Sequence, residues 1–98
     1  PALFFGSAIF SGLDVPNPKP APDVYLAAAQ SFGIEPSHCV VVEDSLPGVR
    51  AGISAEMRVY GYAALTPKEK LIEAGAVPFS SMSELQHILT QEFQSIQA

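Results

Sequence analysis

The sequence is poor in the features that mark nucleic-acid-binding, secreted or membrane proteins. Five Lys and Arg residues stand against ten acidic ones, a net charge of −5, and the pI is near 4.7. So acidic a chain is a poor grip for a phosphate backbone, and no nucleic-acid partner is expected. One cysteine, Cys39, cannot close an internal disulfide; this suits a reducing compartment, and the expected location is cytoplasmic. The longest apolar runs are only a handful of residues, too short to cross a bilayer, so no membrane partner is expected. The start of the chain lacks the charged and then apolar layout of a signal peptide. A glycine-rich dinucleotide fingerprint and a phosphate-binding P-loop are also absent.

Apolar residues are abundant. Hydrophobic residues make up 48% and charged residues 15%, which excludes a disordered tail. A chain of 98 residues makes one small domain at most. Nine prolines and seven glycines cut it into short, alternating helix and strand signals. Such a string ordinarily belongs to a sheet larger than this length can build. The chain also opens inside an apolar segment, Pro1-Ala2-Leu3-Phe4-Phe5, without an initiator methionine. Part of a larger domain is therefore expected.

The stretch from Leu3 to Phe10 is apolar and fits either a short helix or a strand, with Ala8 to Gly12 reading best as a buried strand ending at a glycine. Four prolines between Asp14 and Pro22 forbid both helix interior and ladder pairing, which makes a stiff loop with Lys19 at its centre. A helix follows from Asp23, with Val24, Ala27, Ala28 and Phe32 on one face and Gly33 as its stop. Cys39 to Val42 is β-branched without alternation, as in a strand buried on both faces. The next helix has Ser45 as N-cap and Pro47 in its first turn. A strand over Arg58–Tyr62, a helix opened by the capping box Thr66-Pro67-Lys68-Glu69 and a strand stub at Val77–Phe79 come next. The last helix starts at a second capping box, Ser81 to Glu84, with Met82, Leu85, Ile88, Leu89 and Ile96 on one face. This order predicts an α/β fold: a Rossmann-like parallel sheet with crossover helices.

In an open parallel sheet, ligands sit beyond the carboxyl ends of the strands. Glu43 and Asp44 occupy such an end, fixed by the apolar strand before them. Two adjacent carboxylates repel each other and invite a hard cation such as Mg²⁺, which takes phosphate oxygens and water as its other ligands. Helix capping alone would explain one of them but not both. Lys19, with a proline on each side, is the second candidate, as a point charge for a phosphate or a carboxylate; its competing reading is an ordinary solvated lysine. His38 and His87 are not spaced as metal ligands, and Cys39 reads as a packing residue of the buried strand, with no histidine placed to activate its thiol.

The stretch Lys19-Pro20-Ala21-Pro22-Asp23, followed by Cys39-Val40-Val41-Val42-Glu43-Asp44-Ser45 and Gly48, resembles the haloacid dehalogenase-like (HAD) hydrolase superfamily. The resemblance is to its β-phosphoglucomutase and phosphoglycolate phosphatase-like branch, and it covers the chain from about Ile9 to about Leu89. It implies that Lys19 is catalytic, binding the phosphate and stabilising the transferring phosphoryl group. Asp44 and Glu43 would be the Mg²⁺ residues, with Ser45 supporting the pair. The implied reaction is phosphoryl transfer from a small phosphorylated metabolite, sugar phosphates first, through an aspartyl-phosphate intermediate. Residues 1–98 would be the C-terminal portion of the core domain, for no D-x-D nucleophile motif occurs in them. The nucleophile strand and the cap would lie in the missing N-terminal part of the same protein, the chain's nearest partner, and this portion alone would be inactive. A phosphomutase of the same superfamily and a non-catalytic α/β binding module are the alternatives. A receiver-like phospho-acceptor is disfavoured because Lys19 precedes the acidic pair. Two departures from the family pattern are Pro18 before the lysine and Glu56 where glycine is common.

Overall fold

A computed structural model of the protein describes residues 2–6 and 15–97. Four strands, β1 (Ala2–Phe5), β2 (Cys39–Glu43), β3 (Arg58–Tyr62) and β4 (Val77–Phe79), form one sheet in the order β1-β2-β3-β4. Every pairing is parallel, with Phe5 opposite Val42, Val42 opposite Tyr60, and Tyr62 opposite Phe79. The helices are α1 (Asp23–Phe32), α2 (Leu46–Ser54), α3 (Lys68–Glu73) and α4 (Met82–Gln97). This is the expected α/β architecture. Strands added in sequence order by crossovers of one hand collect their helices on one face. The first three helices accordingly pack with Phe4, Val41 and Val59 in one cluster. The last helix turns back over the other face, where Leu85 joins Val40, Val42, Tyr60 and Phe79. Among the described residues no helix is long and apolar enough to cross a membrane.

Several local expectations meet a different outcome. The first strand runs over Ala2–Phe5, and the strand expected at 8–12 lies outside the described residues. The buried stripe of α1 is Val24, Tyr25, Ala28 and Ala29, rotated from the expected face, while Phe32 is 68% exposed and leans on Phe4. The rotation carries the Tyr25 hydroxyl towards the end of β2. Thr66 does not cap α3, whose N-cap is Pro67 without a side-chain bond; its hydroxyl donates instead to the Asp44 carbonyl at 3.0 Å. At α4 the box forms with a one-residue offset. Ser81 Oγ accepts from Glu84 N–H, and the Glu84 carboxylate reaches the N–H of Ser80 rather than that of Ser81. Met82 leaves the apolar face and is exposed.

Two turns follow from backbone sterics. Gly33 closes α1 in the left-handed region at φ 64°, which glycine enters without a Cβ clash. Glu56 adopts φ 63° before β3, a conformation that costs a side-chain-bearing residue roughly 1 kcal/mol relative to glycine.

Candidate active site

Glu43 is the last residue of β2, and the two-residue period of the strand turns its side chain to the same face as Val41, beneath α1 and α2. It is 4% exposed. Two glycines make that position possible. A Cβ on Gly48, in the first turn of α2, would fall 2.0 Å from Glu43 Cδ, and one on Gly6 would fall 2.2 Å from Oε2. The carboxylate therefore lies in space that any other residue at either position would fill.

A buried carboxylate must be paired. Lys19 Nζ donates to Glu43 Oε2 at 2.5 Å, and the Tyr25 hydroxyl donates to the same oxygen. Among the described residues the other oxygen, Oε1, accepts only the backbone N–H of Asp44, at a longer 3.3 Å. Burial, with help from the hydrogen bond and charge of Glu43, pushes the Tyr25 phenol well above its ordinary range. It therefore stays protonated and serves as a donor.

Lys19 arrives from the turn that leads into α1. Asp23 Oδ2 ties that turn down by accepting from the backbone N–H and the side-chain amide of Asn17, each at 3.2 Å. Ala21 N–H adds a bond to the Pro18 carbonyl at 3.0 Å, and the Lys19–Pro20 peptide is cis. The ammonium also lies 3.5 Å from the Gly6 carbonyl and 5.2 Å from the centre of the Tyr25 ring. The Lys19 side chain is 20% exposed, so it is held in the corner rather than solvated on a loop.

Asp44 stands one residue on and is exposed. Its backbone is fixed by its own N–H on Glu43 and by Thr66 on its carbonyl. Beside it, on the α4 face, opens a shallow pocket of about 110 Å³ walled by Phe5, Val42, Tyr62, Phe79 and Met82. Ser45 caps α2 by accepting from Gly48 N–H at 3.2 Å. Lys19, Glu43 and Asp44 thus meet at the carboxyl end of β2, with one buried ion pair and one carboxylate left facing water. Among the described residues no group of three His, Cys, Asp or Glu side chains gathers, and the carboxylates they bring to this corner are Glu43 and Asp44.

His38 and His87 are exposed, while Cys39 is buried, its thiol donating to the Glu35 carbonyl at 3.4 Å. Burial raises the thiol pKa, which leaves it an inert packing group.

Sequence reasoning missed Tyr25, Gly6 and Thr66. For Tyr25 a signal existed: a polar-tipped ring inside an alanine-rich apolar stripe needs a partner for its hydroxyl. Gly48 and Gly52, four apart on α2, serve different ends. Gly52 brings α2 close to the sheet, since a Cβ there would meet Val59 Cγ2 at 2.6 Å, whereas Gly48 makes room for the Glu43 carboxylate.

Residues 2–56 match the profile of the haloacid dehalogenase-like hydrolase family. A phosphorylated carbohydrates phosphatase of Thermotoga maritima is 37% identical over 90 residues, covering 90% of this chain and 41% of that protein. A HAD family hydrolase from Deinococcus radiodurans R1, solved with bound phosphate and sodium, superposes with a TM-score of 0.69 at 37% identity, covering 74% of this chain and 34% of that one. A β-phosphoglucomutase from Clostridium difficile gives a TM-score of 0.65 at 27% identity, over 85% of this chain and 36% of its own. The chain thus spans well under half the length of these relatives. With a matching profile over more than half its residues and the same α/β core, the chain belongs to the haloacid dehalogenase-like hydrolase family.

Proposed function

We propose that the protein containing this chain is a Mg²⁺-dependent phosphatase of small phosphorylated metabolites, sugar phosphates first, and that this chain supplies its lysine and acidic corner. The observation that carries the reading is the Lys19–Glu43 pair, 2.5 Å apart and buried beside an exposed Asp44 at a strand's carboxyl end. The phosphatase name of the Thermotoga relative and the phosphate bound in the Deinococcus structure support it.

In this reading Lys19 is catalytic and binds phosphate. Glu43 holds one side of its ammonium, whose positive charge stabilises the negative oxygens of the phosphoryl group and of the attacking carboxylate. Asp44 is the accessible carboxylate for Mg²⁺ and Glu43 the second, with Ser45 supporting both by starting α2 behind them. The donors fit this ion, which binds through one or two carboxylates and completes its shell with water and phosphate oxygens. When bound, Mg²⁺ supplies Lewis-acid polarisation of the phosphoryl oxygens. The nucleophile is an aspartate outside this chain. Its carboxylate displaces the alcohol to form an aspartyl-phosphate, and water then frees inorganic phosphate. Residues 1–98 are accordingly the C-terminal portion of the core domain, in keeping with their 34–41% share of the relatives described above.

The test is phosphate release by the full-length protein from a panel of sugar phosphates and phosphoglycolate, with Mg²⁺ and with EDTA. The reading expects release that EDTA stops and that Asp44→Ala lowers at least 100-fold. No release from any member of the panel, in a protein that carries the D-x-D motif, would rule it out. A sugar-phosphate isomer as product in place of inorganic phosphate would assign the phosphomutase reading, which the likeness to the Clostridium enzyme favours.

A further inference from the structure

The Glu43 carboxylate is not symmetric. Lys19 and Tyr25 both donate to Oε2, while among the described residues Oε1 has only the long contact to the Asp44 N–H on the side of the exposed acid. Gly6 and Gly48 flank the group: a Cβ at Gly48 would fall 2.2 Å from either oxygen and one at Gly6 would fall 2.2 Å from Oε2, so the carboxylate stands in space that only glycine at these positions leaves open. We infer that Tyr25 is a positioning residue: its hydroxyl, together with Lys19, ties Oε2 so that Oε1 alone is presented beside Asp44, and it sets where the Lys19 ammonium stands. This rests on the proposed Mg²⁺-dependent reading of the site and adds to it a residue that touches neither substrate nor ion.

Three features make the assignment specific. Tyr25 is fully buried in the α1 stripe, so its ring packs whatever its tip does. A buried hydroxyl requires a partner, and among the described residues its hydrogen bond goes to Glu43. Without that donor, Lys19 alone would hold Oε2, and the carboxylate could tilt towards the ammonium, moving both groups together.

The deciding variant is Tyr25→Phe in the full-length protein, compared with wild type and Asp44→Ala. Turnover of glucose 6-phosphate, or of the best substrate in the panel, is measured across Mg²⁺ concentrations. Mg²⁺ alone is titrated separately while the backbone amide resonances of Asp44 and Ser45 are followed. The expected result is a roughly tenfold fall in kcat with KM within twofold, and at least a threefold weaker Mg²⁺ response of those amides. The same substitution should have no further effect on kcat in a Glu43→Gln background. Wild-type kcat and Mg²⁺ response in Tyr25→Phe, with Asp44→Ala inactive, would overturn the inference and leave the phosphatase reading standing. Wild-type protein without Mg²⁺-dependent release would overturn both. A measurement on the wild type decides the matter even if the variant does not fold. Saturating Mg²⁺ should leave the Tyr25 ring resonances at their metal-free positions, because the tied oxygen is not the one offered; a large shift would mean that Oε2 is released and the inference fails.

Discussion

Opposite faces of the sheet carry two clusters built from the same three kinds of group. On the α1 side, Lys19 and Tyr25 converge on Glu43; on the α4 side, Arg58 and Tyr60 converge on Glu92. In both, a tyrosine hydroxyl and a cation donate to one carboxylate oxygen. Burial separates them. The Glu43 side chain is 3% exposed and that of Lys19 20%, against 30% for Glu92 and 54% for Arg58. Water screens the second pair and can replace either partner, so it fastens α4 to β3 and little more. Water cannot replace the partners of Glu43, so that cluster is an all-or-none arrangement whose members depend on each other. The lesson is that the same hydrogen-bonding inventory becomes a fastening or a site according to what covers it.

The comparison breaks most visibly if the cations are removed. Lys19→Met leaves a buried carboxylate with its charge uncompensated and should destabilise the full-length protein by roughly 3–5 kcal/mol, read from denaturant midpoints. Arg58→Met should cost no more than about 1 kcal/mol. Equal losses for the two variants would dissolve the distinction.

Steric enclosure gives the next largest effect. Gly48→Ala places a Cβ where Glu43 Cδ lies, and overpacking of this kind costs about 1–3 kcal/mol. Phosphate release should fall further than the stability loss accounts for, because the carboxylate is pushed off Lys19 and Tyr25. A fully active Gly48→Ala protein would show that Glu43 has freedom that the enclosure denies it.

Alkali probes the tyrosine on the outer face. Burial first, then the hydrogen bond to Glu92, pushes the Tyr60 phenol from 10.0 up to about 12. Between those values the unfolded chain has lost a proton that the folded one keeps, so unfolding is favoured as pH rises. The Tyr60 contribution is intact below pH 10 and disappears as pH climbs to about 12. Unfolding free energies measured from pH 9 to 12 should fall less steeply in Tyr60→Phe than in wild type; parallel curves would contradict the assignment. The smallest change is expected for Glu92→Gln, within about 1 kcal/mol at neutral pH and smaller still in high salt.

Much of this was readable from the residues. The β-branched run ending in Glu43-Asp44 marked both the buried strand and the end of it at which the acidic pair stands, because a strand covered on both faces reads as a continuous apolar run. Gly33 as the stop of α1 followed from local sterics, and the positive φ of Glu56 falls where the family resemblance has glycine. What could not be read was rotational. A rotation of α1 about its axis by less than one residue's turn exchanges Ala27 and Phe32 for Tyr25 and Ala29 in the core, and an alanine-rich stripe does not determine which. Thr66 was misread for a related reason: Ser, Thr and Asn hydroxyls and amides suit several local acceptors, and the pull of the Asp44 carbonyl across the strand ends has no local sequence signature. Gly48 and Gly52 look alike in sequence and differ only in what lies opposite them.

The most direct test separates the exposed acid from the buried one. Asp44 is exposed, so Asp44→Asn in the full-length protein should leave stability within about 0.5 kcal/mol of wild type. The account predicts that this well-folded variant loses Mg²⁺-dependent phosphate release by at least 100-fold. Release at the wild-type rate from the same variant would contradict the account at its centre.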